Sequence, residues 1–518
     1  MKSIKINQKN PDMVIILILL VLFSLTSLIY LDRFPKVWMD EAGESMPAYT
    51  FQKDGTLQMS ALVSADWGNQ DVHFLQPMIV PKILSAPFFL LLGVGSLQGR
   101  LASIFMGALT IVGMYFLSRK IGGIVFASVS TVFLIFDNLF FVIARTIRPE
   151  IFLAAIAIWA LYLIINVKVD FKRLFFCGLL LGISLFTHPN SFLVFVAILV
   201  IALSQVRVKQ YLHVLLPLGL GVFIGFLPYA IYVVVQDGAN QFRDFWLQIG
   251  YAATMVTSPT NYFSHALAAE LERYISYIFF PYRLPIFLIQ IFSIGYAFYK
   301  RGDKFNRIFL IFIFVHVALF PILISTKYSR YLAVLMPAVV ILVIKMVWDI
   351  AGWSYDIDLP AIFASLKKLN RKVMVSTALA LVLFANQAGG DFWAVWKSRD
   401  CSFTPFISQA RSLVPPGAKV WGPMTFWFGF YDHPYRTQWT IRHEKEMNSF
   451  QPEYIILYDT SEIWANQTNV TKRPIPASES EEALRNMLIE LVKRRGISVG
   501  SVPNGCYGNI EIFKLVWE

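Results

Sequence analysis

The sequence predicts a polytopic α-helical membrane protein with a soluble α/β domain at its C-terminal end. Three observations lead there. The 518 residues are 56% hydrophobic and only 15% charged, against roughly 25% charged in an ordinary soluble protein. Apolar runs of bilayer-spanning length recur through the first three quarters of the chain. Beyond about residue 389 the pattern changes to short turn-then-strand units. The formal net charge of +12 does not point to nucleic acid. Lys and Arg collect in the short connections between apolar runs, which is a signature of membrane topology.

The chain starts with "MKSIKINQKNPDMVIILILLVLFSLTSLIYLD". Its apolar run continues through Tyr30 and Leu31, longer than a signal-peptide core and without a small-residue cleavage site. It is therefore expected to be an uncleaved first span with a cytoplasmic N-terminus. About eleven spans are expected, at 13–31, 97–118, 123–143, 150–167, 173–188, 190–206, 212–235, 274–299, 307–325, 331–349 and 373–388. Two of them are short and meet at "THPN", where proline breaks the helix.

With alternate connections cytoplasmic, those connections contain Arg119–Lys120, Lys168/Lys172/Arg173, Arg207/Lys209, Lys300/Arg301/Lys304/Arg307 and Lys367/Lys368/Arg371/Lys372. Every one is basic, as the positive-inside rule requires. The rule puts loops 32–96, 144–149, 236–273 and 326–330, with everything after about 389, on the outer face. The segment "PMIVPKILSAPFFLLLG" (77–93) is apolar, but counting it as a span reverses every later loop. Its three prolines and Lys82 suit a juxtamembrane helix better.

Two domains follow: 1–389 in the membrane, with a first outer loop at 32–96, and 390–518 as a soluble α/β domain on the outer face. In the latter, "VPPGAKVWGP", "PEYIILYDTS" and "NIEIFKLVWE" read as strands after turns. "ESEEALRNMLIELVKRRG" reads as a helix, acidic first and basic last, with Gly496 as its C-cap. On an oxidising side Cys401 and Cys506 can pair, or stay as two unrelated thiols. "NQT" and "NVT" at 466–471 fit glycosylation acceptors. There is no internal repeat, P-loop, zinc-type Cys/His spacing or G-x-S-x-G.

The unusual polar residues gather on the outer side: Asp40, Glu41 and Glu44, then Asp66, Asp71 and His73, then Asp137, "ARTIRPE", His188 and "TKYSRY". Ionisable residues at helix ends in a membrane protein point to function. Asp40–Glu41 reads either as a solvated loop or as a carboxylate base with an orienting neighbour. In "TKYSRY", Lys327, Arg330 and Tyr331 read either as headgroup anchors or as a phosphate clamp. Arg145, Arg148 and Glu150 read as an ion pair steadying a helix start with Pro149 in its first turn. His73 and His188 read as structural histidines. A carboxylate centre facing a cationic clamp is what group transfer from a lipid-linked phosphate needs: a base for the attacking hydroxyl and positive charge for the leaving oxygen.

"WMDEAGES", "GRLASIFMGALTIVGMYFLSRKIGG", "FDNLFFVIARTIRPE" and "TKYSRYLAVLMP" resemble membrane glycosyltransferases of the GT-C type. The dolichyl-phosphate-mannose protein mannosyltransferases and the bacterial aminoarabinose transferases that modify lipid A are the similar groups. The resemblance covers about residues 10–350. It implies Asp40 as catalytic base with Glu41 beside it, and Lys327, Arg330 and Tyr331 on the donor phosphate. Arg145, Arg148, Glu150, His73 and Lys82 are implied as supporting residues. The chain departs from the family in having "HFLQP" where "HPP" is common, and it lacks "WWDYG". Its last domain does not resemble the β-trefoil insert of the eukaryotic mannosyltransferases.

The resemblance implies an inverting transfer from a polyprenyl-phosphate sugar to an acceptor hydroxyl on a lipid, glycan or protein, at the outer face of a bacterial inner membrane or its equivalent. No cofactor is required by that chemistry, although the acidic pair can hold a divalent cation. The rival reading is a transporter or flippase of lipid-linked sugars. Repeated halves and charges near the bilayer midplane mark such proteins, and the sequence shows neither.

Overall fold

The computed structural model describes residues 11–59, 61, 78–165, 170–235, 268, 270–275, 277–278, 283–323, 328–353, 371–438, 441, 444–458 and 481–517. It is a bundle of apolar helices with a small sheet domain at its C-terminal end. Among the described residues each expected span overlaps helix, though 123–143 is divided in two. Among the described residues, six helices are long and apolar enough to cross a membrane, or seven if one bent pair is a single span. The expected count of about eleven included several helices below that length.

Burial sorts the spans into periphery and centre. In α1 (Pro11–Leu28) only Ile16, Leu19, Phe23 and Ser27 face inward, a single stripe at helical spacing. Met13, Leu17, Ile18, Val21 and Leu25 are exposed, as residues facing lipid must be. The span ending in α13 (Met336–Ala351) is instead buried all round, 94% against 17% for α1. Between them stand α4 (Ser96–Ile121), led by Arg100, and α7 (Pro149–Ile164).

Close backbone contact joins α8 (Phe171–Ser184) to α10 (Tyr211–Val235). Gly178 and Gly182 face Gly221 and Gly225; a Cβ on Gly178 would stand 2.1 Å from the carbonyl oxygen of Leu218, and one on Gly225 2.4 Å from that of Leu179. Two facing G-x-x-x-G patterns allow this approach where the hydrophobic effect cannot drive helices together.

The expected span 123–143 is not one helix. It divides into α5 (Ile124–Ile135) and α6 (Asn138–Ala144), bent by 67°. Asp137 lies at the bend because its carboxylate accepts the N–H groups of Leu139 and Phe140 at 3.1 and 2.9 Å, starting a new helix as an N-cap. Helix α14 (Arg371–Lys397) supports the break: Gln387 donates to Asp137 at 3.2 Å, and Asn138 donates to Asp391 at 2.5 Å.

Helix α14 also continues to Lys397, past the composition change at 389. Its last turns expose Phe392, Trp393 and Trp396, residues suited to the membrane–water boundary. Beyond it come α15 (Phe403–Ser412) and a five-stranded sheet of order β2-β1-β3-β5-β4. The strands are β1 (Val420–Trp421), β2 (Tyr435–Arg436), β3 (Tyr454–Tyr458), β4 (Gly496–Val502) and β5 (Ile510–Leu515). Strand β1 runs parallel to β2 and β3, while β5 is antiparallel to β3 and β4. Helix α17 (Glu481–Arg495) passes directly into β4, so Gly496, expected as a C-cap, is the first strand residue. The triplets at 466–471 lie outside the described residues.

The domain is stitched to the segment after α1. A Cys401–Cys506 disulfide closes it, with Cα atoms 5.3 Å apart. Lys36 donates to the Cys506 carbonyl at 2.8 Å, the Val37 N–H donates to the Tyr507 hydroxyl at 2.9 Å, and Ser402 donates to Asp32 at 2.6 Å. Tyr49 of α2 (Met39–Asp54) meets Tyr431 at 5.3 Å between ring centroids. The first loop and the last domain therefore share one side of the bundle.

Candidate active site

The first loop is largely helical where it carries its acids. Trp38 precedes α2, and Asp40 and Glu41 occupy its first turn, where the helix dipole favours negative charge. Successive helical residues point about 100° apart, whereas i and i+4 share a face. The doublet therefore divides: Glu41 and Ser45 turn to the protein interior, and Asp40 and Glu44 turn the other way.

Glu41 is fully buried. Arg100 grips both its oxygens, at 2.8 and 2.6 Å, a bidentate geometry that guanidinium matches well. The Ile147 N–H donates to the same carboxylate at 3.1 Å. Arg100 also donates to the carbonyls of Leu31 and Pro35. Arg145, likewise fully buried, donates to the carbonyls of Thr26, Ser27, Ile29 and Phe34. Both arginines satisfy otherwise unpaired carbonyls where α1 ends and the loop turns. Their contacts hold the loop against the end of α1.

Asp40 belongs to a different set. Its Oδ2 accepts from Arg148 at 2.5 Å and from Arg330 at 3.4 Å. Its Oδ1 has no partner among the described residues, and the side chain is 29% exposed. Arg148 binds both oxygens of Glu150, at 3.2 and 3.1 Å, so all three of its donor nitrogens are engaged. Burial works against its charge, yet Glu150 and Asp40 hold its pKa well above the ordinary arginine value. Glu150, in turn, accepts from Arg330 Nε at 3.0 Å. Arg330 Nη1 has no partner among the described residues, and this guanidinium lies 4.8 Å from the Trp38 ring and 3.9 Å from that of Tyr328.

Arg330 and Tyr331 sit on a 3-10 segment, Ser329–Leu335, that leads into α13. Tyr331 meets the His188 ring edge-on at 5.3 Å. His188 lies in the connection between α8 and α9 (Ser191–Ser204). Burial pushes its pKa down to about 4, against the pull of Glu150. A neutral ring agrees with its geometry, since Nδ1 accepts the Asn190 N–H at 2.9 Å. Lys82 of α3 (Ile79–Leu92) is buried and pairs with Glu44 at 2.5 Å, within electrostatic reach of Arg148.

The structure thus brings together Asp40, Arg148, Glu150, Arg330, Tyr331 and Lys82, and it separates Glu41 and Arg145 from them. Lys327 and His73 lie outside the described residues. Sequence reading did not single out Arg100, Trp38 or Tyr328, and it treated His188 as an isolated structural residue. An arginine at the head of an apolar span is a signal that was there for Arg100. The two acids of the doublet do not converge, and among the described residues no group of three His, Cys, Asp or Glu is placed to hold a metal ion.

Residues 76–263 match the sequence profile of the dolichyl-phosphate-mannose-protein mannosyltransferase family. A comparison with curated protein sequences finds no match. Among solved structures, the apo form of ArnT from Cupriavidus metallidurans superposes with a TM-score of 0.61 at 14% identity, over 96% of this chain and 98% of that one. The same protein bound to undecaprenyl phosphate gives 0.60 at 15%, over 98% of both chains. The oligosaccharyltransferase AglB of Archaeoglobus fulgidus, in complex with an inhibitory peptide and a dolichol-phosphate, gives 0.52 at 12%, over 86% of this chain and 69% of that one. The fold is that of the GT-C membrane glycosyltransferases.

Proposed function

We propose that this chain transfers a sugar from a polyprenyl-phosphate-linked donor to an acceptor hydroxyl, with inversion, at the outer face of the membrane. One observation carries the reading. Segments up to 290 residues apart place a part-exposed carboxylate beside a guanidinium, and Asp40 Oδ1 and Arg330 Nη1 have no partner among the described residues. The polyprenyl and dolichyl phosphates bound by the similar proteins support a lipid-linked donor.

Asp40 Oδ1 takes the proton from the acceptor hydroxyl while Arg148 fixes Oδ2. The acceptor oxygen attacks the anomeric carbon from the face opposite the phosphate, and the bond from that carbon to the phosphate oxygen breaks. Charge developing on the departing lipid phosphate meets Arg330 and Lys327, with Tyr331 positioning it. Glu150 orients both arginines, Arg148 and Arg330. Glu41 acts through Arg100 by setting the pitch of α2. The cations in this reading are the chain's own, and a chelator leaves the rate unchanged.

The test is transfer of radiolabelled sugar from a polyprenyl-phosphate donor by membranes containing wild type or Asp40→Asn. Loss of transfer with normal expression is expected. Transfer that persists in the variant removes Asp40 from the role of base.

A further inference from the structure

At the end of the bundle opposite the site, a cavity of about 700 Å³ opens between α9, α11 (Leu284–Tyr299) and α12 (Lys304–Leu323). Its walls are apolar, with Val200, Phe298, Ile311 and Phe314 among them, and two arginines, Arg301 and Arg307, stand at its mouth. Arg307, Ile311 and Phe314 fall at i, i+4 and i+7 on α12, so charge gives way to apolar surface along one helix face. Arg301 lies over the Phe298 ring at 5.0 Å. Asp303, the acid between the two arginines, is turned elsewhere: it accepts the N–H groups of Phe305 and Asn306 and pairs with Lys345 at 3.6 Å. Neither arginine has an acid partner among the described residues. Phe320 of α12 meets the Tyr331 ring at 5.9 Å, and Arg307 stands about 20 Å further along the helix, so the mouth is a separate place from the proposed active site.

We propose that this cavity binds an anionic phospholipid of the bilayer. The headgroup phosphate sits between Arg301 and Arg307, and an acyl chain runs along Ile311 and Phe314 toward Val200. Charge complementarity selects this occupant: two guanidiniums without an acid partner among the described residues, standing at headgroup level, favour a net negative lipid over a zwitterionic one. Each basic residue near a headgroup contributes about 1 kcal/mol, which is about fivefold in affinity.

The test uses the purified full chain, equilibrated with equal amounts of phosphatidylglycerol and phosphatidylcholine and then stripped of loose lipid. Mass spectrometry counts what stays bound. Phosphatidylglycerol is expected to be enriched by about 25-fold. The enrichment falls to parity in R301A/R307A and survives in R301K/R307K. Val200→Phe fills the apolar wall and removes bound lipid while leaving the charges, so it carries the test should the double variant fail to fold. Parity in the wild type, or enrichment that survives R301A/R307A or V200F, would overturn the proposal.

Discussion

Two ion clusters begin at neighbouring residues of α2 and end in opposite conditions. Glu41–Arg100 is closed: both side chains are 0% exposed, and both carboxylate oxygens are taken. The cluster of Asp40, Arg148, Glu150 and Arg330 is open: Asp40 Oδ1 and Arg330 Nη1 have no partner among the described residues. The difference teaches how one turn of helix can keep one carboxylate closed and leave its neighbour partly open. A closed pair, with carbonyls from the end of α1 drawn onto the same arginine, anchors the helix. In the proposed function the adjacent residue keeps part of its hydrogen-bonding capacity for the acceptor.

The largest test of that contrast is at its open end. Asp40→Asn keeps the shape of the side chain and removes the base, so transfer should fall by about 10²- to 10⁴-fold, with the melting temperature in detergent little changed. At the closed end the signs reverse. Arg100→Met leaves Glu41 buried without its charge partner and should cost about 3–5 kcal/mol of stability, read as lost folded protein. The double variant E41Q/R100M should recover part of that loss. If R100M is as stable as wild type, the anchoring role fails.

A smaller effect is expected where the open cluster meets the donor. Arg330→Ala removes charge-assisted hydrogen bonds of about 1.5–3 kcal/mol, roughly a 10- to 100-fold loss. The loss should appear in the donor KM more than in the acceptor KM; equal change in both points instead to a disturbed fold. Opening the disulfide should cost about 2–4 kcal/mol, seen as a lower melting temperature for C401S/C506S and a mobility shift of wild type under reduction.

The smallest expected change concerns His188, whose folded pKa of about 4 lies below its ordinary 6.5. Between those values the unfolded chain binds the extra proton, so stability falls as pH falls through this window. His188→Asn should flatten that acid-side loss in a melting series from pH 7.5 to 5. An unchanged slope means that the ring is not held neutral.

Much of the architecture is legible in the sequence because lipid imposes a coarse rule. Spans need long apolar runs, and the basic connections mark one side consistently. The α5–α6 bend was harder to see, since Asp137 and Asn138 interrupt an apolar run by only two residues. Only the supporting groups of α14, some 250 residues later, explain why the chain turns there. Similarly, the facing glycines of α8 and α10 are visible as patterns, but their pairing depends on two helices meeting.

The sequence by itself determined that Asp40 and Glu41 follow the first span, and that "TKYSRY" stands before a late one. The family resemblance ranked Asp40 above Glu41, but the residues around them gave no physical reason, because adjacent residues have the same neighbours in sequence. The tertiary structure gives them different surroundings. A helix starting at Met39 rotates successive side chains by about 100°, and Arg100 was waiting on one side of it and Arg148 with Arg330 on the other. Burial then separates an acid whose oxygens are both used from one that keeps an oxygen free.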